Sequence, residues 1–569
     1  MISVSGKKWT EQKVDKNLVE KIKQDYNFSE ILSKLIVSRN YEYDEINYIK
    51  NNLKLINVFN NSTDFNNASD ILIDSINKNE KICILGDYDV DGASATSLLA
   101  SYFSHIKQKY FYYIPDRETD GYGASIKLFK KLILQKPKLV LLVDCGSTSN
   151  EAIDFLNQHN IKSIIIDHHE INKPYPKSNI IINPKKKVDY SKYDYLCATS
   201  LTYFFIDILI EKTKCNFKLS NLLIIVLLAT VCDVMPLRKL NKILAINVLK
   251  NFKINKNLAF KTIFDRFNLK RNLTIYDLSF LIGPIINAGG RLGFSNLGTK
   301  FLTSNNVNDA KEIALKLINL NEKRKKIEKF FLNEINFEKI KQENKNVVIY
   351  YNSKLHEGLI GIIAARLKEY FNKPSIVITR TNILLKASAR STPNYNIGNL
   401  IKTLIDKKIV ENGGGHNMAA GFTIRKENVK LLDNFIQKDF QKNNKNFKLS
   451  FKYDSEISSK AINQSLYKNI SQLGPFGNGN PSPTFLIKNV KIIKSNEITE
   501  NHVSAIIKPI TGPSLKAICF NCRNSDIGNY LLSYKKQIDV IALITNSSWN
   551  NKNIIQLNIK DLFLPTNTA

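Results

Sequence analysis

The sequence predicts a multidomain α/β chain in which a parallel-sheet domain, a long helix, a second α/β domain and a small β domain follow one another. Three observations carry this. At 569 residues the chain is too long for one ordinary core, which sets an expectation of about two to four domains. From about residue 68 to 240, short apolar runs of strand length alternate with longer helix-like segments, the signature of βαβ units around a parallel sheet covered on both faces. Beyond about residue 447, short strand-like runs such as FLIKNVKII, VSAIIK, LKAICF and IDVIALIT are separated by Gly/Pro turns, which suggests a small β-barrel or sandwich.

In chain order, residues 1–65 are expected to form an N-terminal helical extension and residues 66–300 the first domain. Within it KICIL precedes TSLLASYFSHI, KLVLLV precedes SNEAIDFLNQHN, and KSIII precedes SLTYFFIDILIEK. Between about 308 and 341, apolar residues at Ile313, Leu317, Leu320, Ile327 and Phe331 recur close to the helical period. That spacing predicts a long amphipathic connecting helix within residues 301–343, able to bridge two domains. The polar stretch QENKN closes it, and VVIYY opens a second α/β domain over 344–440. A further polar stretch, QKNNKN, leads into the β-rich part, residues 447–569.

Composition narrows the partners. The 82 Lys and Arg outnumber 51 Asp and Glu, a formal charge of +31, which favours nucleic acid or an anionic membrane surface. The excess is mostly lysine in a chain rich in Lys, Asn and Ile, a pattern that genome composition alone also produces. The start, MISVSGKKWTEQK, lacks an apolar core of signal-peptide length. The longest strongly apolar run, LLIIVLLATVC at 222–232, falls short of the ~18 to 20 residues that cross a bilayer. The expectation is a soluble, cytoplasmic protein with no membrane partner. Seven scattered cysteines, among them Cys83, Cys145 and Cys232 in apolar runs, fit reduced, buried thiols. Cys519 and Cys522 form a C-x-x-C without a second ligand pair nearby, so a structural zinc is not expected there.

The chemistry gathers where the first domain's strands end. GDYDVDG, with Asp87, Asp89 and Asp91, follows KICIL; Asp144 follows KLVLLV; Asp167, His168 and His169 follow KSIII. In an open parallel sheet, ligands sit beyond the carboxyl ends of the strands. A single Asp after a strand is most often a helix cap or turn residue, but three strand ends agree here. Asp233, in ATVCDVMPL, is a fourth candidate that alone would read as a cap. Together Asp87, Asp89, Asp144, His168 and Asp233 offer oxygen and nitrogen ligands without thiolate, a set suited to Mn²⁺ or Mg²⁺. So many carboxylates repel one another unless cations lie between them, and two cations about 3.5 to 4 Å apart form the common hydrolytic clamp for phosphate esters. The adjacent histidines add a constraint. Neighbours in a continuing strand point to opposite faces, so for both to serve one site the strand must stop at Ile166.

These residues carry a resemblance. GDYDVDGASATSLL, VDCGSTS, the Asp-His-His triplet and VCDVMPL resemble the motifs of the DHH phosphoesterase superfamily. IPDRETDGYG at 114–123, INAGGRLG at 286–293, HEGLIGIIAARL at 356–367, SARS at 388–391, GGGHNMAAG at 413–421 and LGPFGNGNPSPTF at 473–485 are similar, in order and spacing, to those of its RecJ branch of single-strand-specific 5′ to 3′ DNA exonucleases. The resemblance runs from about residue 80 to 490 and on to the chain's end. It implies a DHH domain, a DHH-associated domain and an OB-like domain that binds single strands.

The resemblance also implies two-metal hydrolysis of single-stranded DNA to mononucleotides in repair and recombination. Asp87, Asp89, Asp144, His168 and Asp233 would ligate two Mn²⁺ or Mg²⁺ ions, with Asp144 the bridge. His169 would ligate or face the scissile phosphate, and Asp167 would orient the imidazoles. The division of labour between His168 and His169, and the part of Asp91, stay open. Arg117 and Arg291 would hold the nucleic-acid backbone, against the plainer reading of surface salt bridges. Ser388, Arg390, Gly413, Gly414, Gly415 and His416 would grip the strand's 5′ end, the glycines as a turn that lets backbone N–H groups approach an anion. His356 belongs either to that cleft or to the local structure. The implied partners of this monomer are a single-strand-binding protein and recombination factors. Two other readings stand beside this one: a DHH enzyme for short oligonucleotides or nucleotide phosphates, and a catalytically silent replication scaffold.

Overall fold

The computed structural model describes the chain apart from residues 1, 51–53, 117–119, 122, 382–383, 444–449, 499–500, 511, 535, 550–551 and 565–569. Interleaved stretches of sequence build two compact units. Residues 55–235 and 244–447 make the larger; residues 1–54, 236–243 and 448–569 make the smaller. The expected extension over residues 1–65 therefore divides: its last part joins the larger unit, and the rest, including strand β1 (Lys8–Glu11), folds with the C-terminal part.

In the larger unit, β2 (Ile82–Leu85), β3 (Tyr110–Tyr113), β4 (Leu139–Val143), β5 (Lys162–Ile166) and β6 (Ile180–Ile182) form a sheet of order β3-β2-β4-β5-β6, parallel throughout. Every residue of β2 and β4 is buried, as the unbroken apolar runs ICIL and LVLLV require of strands covered on both faces. The chain leaves β2 for β3 on one side and returns to β4 on the other. The order thus reverses between β2 and β4, the point at which such sheets open a crevice beyond their carboxyl ends.

The connecting helix is shorter than expected. Val307–Glu334 is one helix and Phe337–Glu343 another. Asn336 explains the break: its side chain accepts the Lys339 N–H at 2.9 Å and so starts a new helix. Leu317, Leu320 and Phe331 are buried along the long helix, as their spacing predicts.

The second sheet has β7 (Val348–Tyr351), β8 (Ser375–Arg380), β9 (Leu385–Arg390), β10 (Asn412–His416) and β11 (Ala419–Ile424) in the order β10-β11-β9-β8-β7. The triple glycine is thus an exposed edge strand, not the turn expected from sequence. Gly413 and Gly415 serve close packing, whereas a Cβ at Gly414 would meet open space. A Cβ at Gly413 would come within 2.6 Å of Phe422 Cβ, and one at Gly415 within 2.4 Å of the Ala419 carbonyl.

In the smaller unit, β1 pairs in parallel with β12 (Ser450–Tyr453). The barrel follows: β13 (Ser455–Glu456), β14 (Thr484–Ile498), β15 (His502–Pro509), β16 (Leu515–Cys519), β17 (Gln537–Trp549) and β18 (Lys552–Phe563). β14 pairs with both β15 and β17, and β16 pairs in parallel with β18, closing the ring β14-β15-β16-β18-β17. That is the five-stranded closed Greek-key order of an OB fold. A buried carboxylate ties the chain's start to it. Asp561 on β18 accepts from Ser3 Oγ at 2.7 Å and Trp9 Nε1 at 2.8 Å.

Residues 236–243 enter this unit through a polar cluster. Arg238 donates to Glu45 from Nε at 2.6 Å and Nη2 at 2.5 Å, and its guanidinium lies 4.3 Å from the Tyr41 ring centre. The Tyr41 hydroxyl and Arg39 both donate to Asn480 Oδ1, at 2.9 and 3.0 Å. Lys242, fully buried, sits with Nζ 4.9 Å from the same ring. Among the described residues no helix is long and apolar enough to cross a membrane.

Candidate metal centre

Three neighbouring strands deliver the acids and imidazoles to one place. After β2 the chain tightens so far that a Cβ on Gly92 would lie 2.4 Å from the Asp87 nitrogen. Asp89 is the N-cap of helix Val90–His105, accepting from the N–H groups of Asp91 and Gly92 at 2.9 and 3.1 Å. It is a cap and a site residue at once. After β4, Asp144 has φ +60°, a left-handed value that Asp tolerates better than most residues. Its N–H donates to the Ile166 carbonyl on β5 at 3.0 Å, fixing the turn. β5 stops at Ile166. Asp167 then accepts from the N–H groups of His168 (2.8 Å), His169 (3.2 Å) and Ser147 (3.1 Å) and pairs with His169 Nδ1 at 2.8 Å. Asp233 caps the C-terminus of helix Leu223–Cys232. Val234 beyond it has φ +58°, a strained conformation for a β-branched residue.

The histidines divide by exposure and reach. His168 is buried, and its Nε2 lies 3.4 Å from Asp144 Oδ1, 3.4 Å from Asp233 Oδ2 and 3.6 Å from Asp91 Oδ2. The His169 side chain is 44% exposed and leans on Asp167, with Nδ1 3.7 Å from Asp144. Three clusters keep their ligand atoms within 4.8 Å of one another: Asp87, Asp89 and Asp144; Asp91, His168 and Asp233; Asp144, His168 and His169. Asp144 and His168 each belong to two.

Several of these atoms have no hydrogen-bond partner although they are buried: both oxygens of Asp144, His168 Nε2 and Asp233 Oδ2. Orphaned buried acceptors are costly. Burial, then the charges of Asp91, Asp89 and Asp87, push the Asp144 carboxyl well above the usual carboxylate range. Burial, then Asp91 and Asp89, do the same to Asp233. Burial lowers His168 to about 4, against the pull of Asp91. For Asp167, burial is outweighed by the charge and hydrogen bond of His169, and its carboxyl is held below the usual range. Adjacent, desolvated, mutually repelling carboxylates with free oxygen and imidazole lone pairs are the donor set that divalent cations satisfy. The residues present fit two such ions.

Sequence reading left open what Asp91 does. Its oxygens accept the Ala198 and Thr199 N–H groups at 2.8 and 2.9 Å, anchoring the start of helix Ala198–Thr213, while Oδ2 also faces His168. It joins structure and site. Asn183, after β6, is a residue that sequence reading missed. Fully buried, it donates to Ser147 Oγ at 2.8 Å and the His169 carbonyl at 2.9 Å. Its only signal was its place at the end of another apolar strand, IIIN.

The remaining candidates surround this centre unevenly. Arg117 lies outside the described residues. Arg291 ends helix Gly283–Arg291 and donates to the Gly358 carbonyl at 3.1 Å. On the same helix, a Cβ at Gly290 would sit 2.4 Å from the Tyr88 carbonyl, so INAGGRLG packs directly against the Asp87–Asp91 loop. Arg390 donates to Ser388 Oγ at 3.1 Å on β9. Gly361 leaves room for both: a Cβ there would lie 2.9 Å from Arg390 Nη2 and 3.1 Å from Ser388 Oγ. His356 Nδ1 accepts the Gly358 N–H at 3.0 Å, a local structural bond. Gly413, Gly414 and Gly415 lead to His416, whose basicity is lowered by its desolvated surroundings and then by the charges of Lys185, Arg390 and His169. The charge of His169, beyond the end of β5, is thus among those that act on His416 of the second sheet.

Known proteins share this arrangement. The family model of the DHH family, N-terminal domain, matches residues 81–230; that of the DHHA1 domain matches 344–442; that of the RecJ OB domain matches 453–561. The single-stranded-DNA-specific exonuclease RecJ of Haemophilus influenzae is 28% identical over 508 residues, 83% of this chain and 87% of that protein. RecJ of Bacillus subtilis is 24% identical, over 98% of this chain and 71% of that protein. The crystal structure of RecJ in complex with Mn²⁺ from Thermus thermophilus matches the fold with a TM-score of 0.82 at 18% identity, over 98% of this chain and 80% of that one.

Proposed function

We infer that this chain, which carries the DHH, DHHA1 and RecJ OB domains in that order, is a RecJ-type 5′ to 3′ exonuclease that hydrolyses single-stranded DNA to mononucleotides in repair and recombination. The observation that carries the reading is the cluster of carboxylates and imidazole at the sheet's switch point, in which both Asp144 oxygens, Asp233 Oδ2 and His168 Nε2 are buried without a hydrogen-bond partner. Asp87, Asp89 and Asp144 would hold one Mn²⁺ or Mg²⁺, and Asp91, His168 and Asp233, with Asp144 between, the other. When bound, the two ions supply an activated water and neutralise charge on the leaving oxygen. The chain's own residues do the rest. Asp167 fixes the His169 ring through Nδ1. Burial disfavours the charged ring, but the charge and hydrogen bond of Asp167 outweigh it and raise the His169 pKa to about 10. The ring is thus an imidazolium whose Nε2 donates to a phosphate oxygen. Arg390 and Ser388 on β9, with His416 on β10 of the same sheet, offer charge-assisted bonds to phosphate near the strand's 5′ end, and Arg291 steadies the backbone.

The barrel argues against an enzyme for very short substrates, and the full set of candidate ligands argues against a silent scaffold. The protein works as a monomer on single-stranded DNA in the cytoplasm, alongside a single-strand-binding protein and recombination factors. The test is digestion of 5′- and 3′-labelled single-stranded and duplex DNA with Mn²⁺ or Mg²⁺. Mononucleotides released from the 5′ end of single strands support the reading. Digestion that starts only from the 3′ end, or efficient digestion of duplex, overturns it.

A further inference from the structure

One cation near the metal centre has no part in the function just described. Lys185 follows β6 in Asn183-Pro184-Lys185 and is held in place by a buried residue: Asn183 Oδ1 accepts the Lys185 N–H at 2.9 Å while its amide group grips Ser147 and the His169 carbonyl. The Lys185 ammonium rests on Glu170 Oε1 at 3.1 Å, the carboxylate directly after the two histidines. Its charge is felt by His168 and Asp233 in the first domain and by His416 in the second. The Glu170 side chain is 54% exposed, and an ion pair with so wet a partner is weak and easily exchanged. A carboxylate-rich centre repels an incoming polyanion, and a cation fixed at its rim offsets that repulsion.

We propose that Lys185 is a phosphate-gripping residue whose ammonium rests on Glu170 in the free protein and exchanges it for a non-bridging phosphate oxygen of the strand beside the metal centre. The proposal rests on the exonuclease reading and adds to it a residue and an exchange of partners. Glu170 acts as a placeholder that keeps the lysine ordered and lets go when phosphate arrives. The ligand class is a phosphodiester: an anion with hard oxygens, reached by a single point charge.

The test compares full-length wild type with Lys185→Ala, Lys185→Arg and Glu170→Gln in Mn²⁺, measuring KM and kcat on a labelled single strand and Mn²⁺ affinity by electron paramagnetic resonance. Lys185→Ala is expected to raise KM about tenfold with kcat changed less, as loss of one charge-assisted phosphate bond implies. Lys185→Arg should recover most of that loss, and Glu170→Gln should lower KM by about two- to threefold. Mn²⁺ affinity should stay unchanged in all three. A KM for Lys185→Ala within twofold of wild type, no recovery by Lys185→Arg, or a parallel loss of Mn²⁺ affinity overturns the proposal. Strand binding by fluorescence anisotropy needs no cleavage. Inactive wild-type protein would overturn the exonuclease reading, whereas equal strand affinity of wild type and Lys185→Ala would overturn this one.

Discussion

Replacing Asp144 by Asn separates the charge of the metal centre from its backbone geometry. Asn is nearly isosteric and also tolerates the left-handed φ of +60° found at this position. In protein stripped of cations, a buried Asp144 oxygen lies within 4.8 Å of those of Asp87 and Asp89. Two like charges that far apart repel by about 3.5 kcal/mol at an effective dielectric near 20. Burial and these charges raise the Asp144 pKa in the folded state. A raised carboxylate leaves stability intact below the unfolded pKa of about 4 and removes it as pH climbs through the folded value. Asn at this position has nothing to lose over that range.

Cation-free Asp144→Asn should therefore be more stable than wild type at pH 8 by about 2 to 3 kcal/mol, a melting temperature ~2 to 4 °C higher, with the gap closing as pH falls toward 4. Mn²⁺ should reverse the order. Wild type gains about 2.7 kcal/mol at a hundredfold excess over Kd, and the variant, short of a ligand, gains little. Cleavage should fall about a thousandfold, the loss of ~4 kcal/mol of transition-state stabilisation. Strand affinity, carried by basic groups, should change little. Scanning calorimetry with chelator and with Mn²⁺, from pH 5 to 8, checks the stability order, and cleavage and binding assays check the rest. Wild type outlasting the variant in chelator at pH 8 would refute the idea that the cluster is strained without cations.

Chelation of wild type should abolish cleavage and lower the melting temperature, both restored by Mn²⁺, as assayed on one preparation carried through removal and refilling. Gly290→Ala should cut kcat by at least tenfold and weaken Mn²⁺ binding, because its Cβ would sit 2.4 Å from the Tyr88 carbonyl and displace the Asp87–Asp91 loop; Mn²⁺ titration reads the second effect directly. Glu45→Ala should destabilise the smaller unit by about 1 to 3 kcal/mol, since it removes the buried carboxylate that accepts from the partly exposed Arg238 guanidinium, which keeps only the Arg39 and Asn40 carbonyls. Burial opposes ionisation of Glu45, but Arg238 wins and lowers its pKa, so this stabilisation is present above the unfolded pKa near 4.3 and fades as pH falls below it; urea melts at pH 7 and pH 3.5 should show the Glu45→Ala deficit shrinking. Asp561→Ala should cost about 2 to 4 kcal/mol by leaving Trp9 Nε1 and Ser3 without their acceptor, measurable as Trp fluorescence unfolding at lower denaturant.

The parallel sheet was legible because ICIL, LVLLV and SIII are buried on both faces and so show no polar alternation. The place of the acids was legible for the same reason: each apolar run gives way within two residues to an acid, Asp87, Asp144 or Asp167, and topology gathers strand ends. What one strand's sequence does not display is the role a residue takes from a partner far away. Asp91 looks like a helix residue until Ala198 and Thr199 bring their N–H groups to it. Lys185 looks like one of three surface lysines until Asn183 is seen to hold it. The triple glycine misled for a related reason, since glycine serves turns and tight strand packing alike, and only Phe422 and Ala419 decide between them. The helix break at Asn336 was a local signal, an N-cap residue, hidden by apolar spacing that continues across it.

The pairing of β1 with β12 sets a schedule for synthesis. Lys8–Glu11 must wait for Ser450–Tyr453, and at ~5 to 20 residues per second that partner emerges on the order of 20 to 90 seconds later. In that interval the catalytic sheet can complete itself, while Trp9 and the helices around Glu45 have neither Asp561 nor Asn480 to meet. A nascent chain stalled before residue 448 would therefore hold a finished metal-binding core beside an N-terminus whose core side chains, Trp9, Leu32, Leu35 and Ile36 among them, lack their C-terminal partners, the form in which this protein would most need a chaperone.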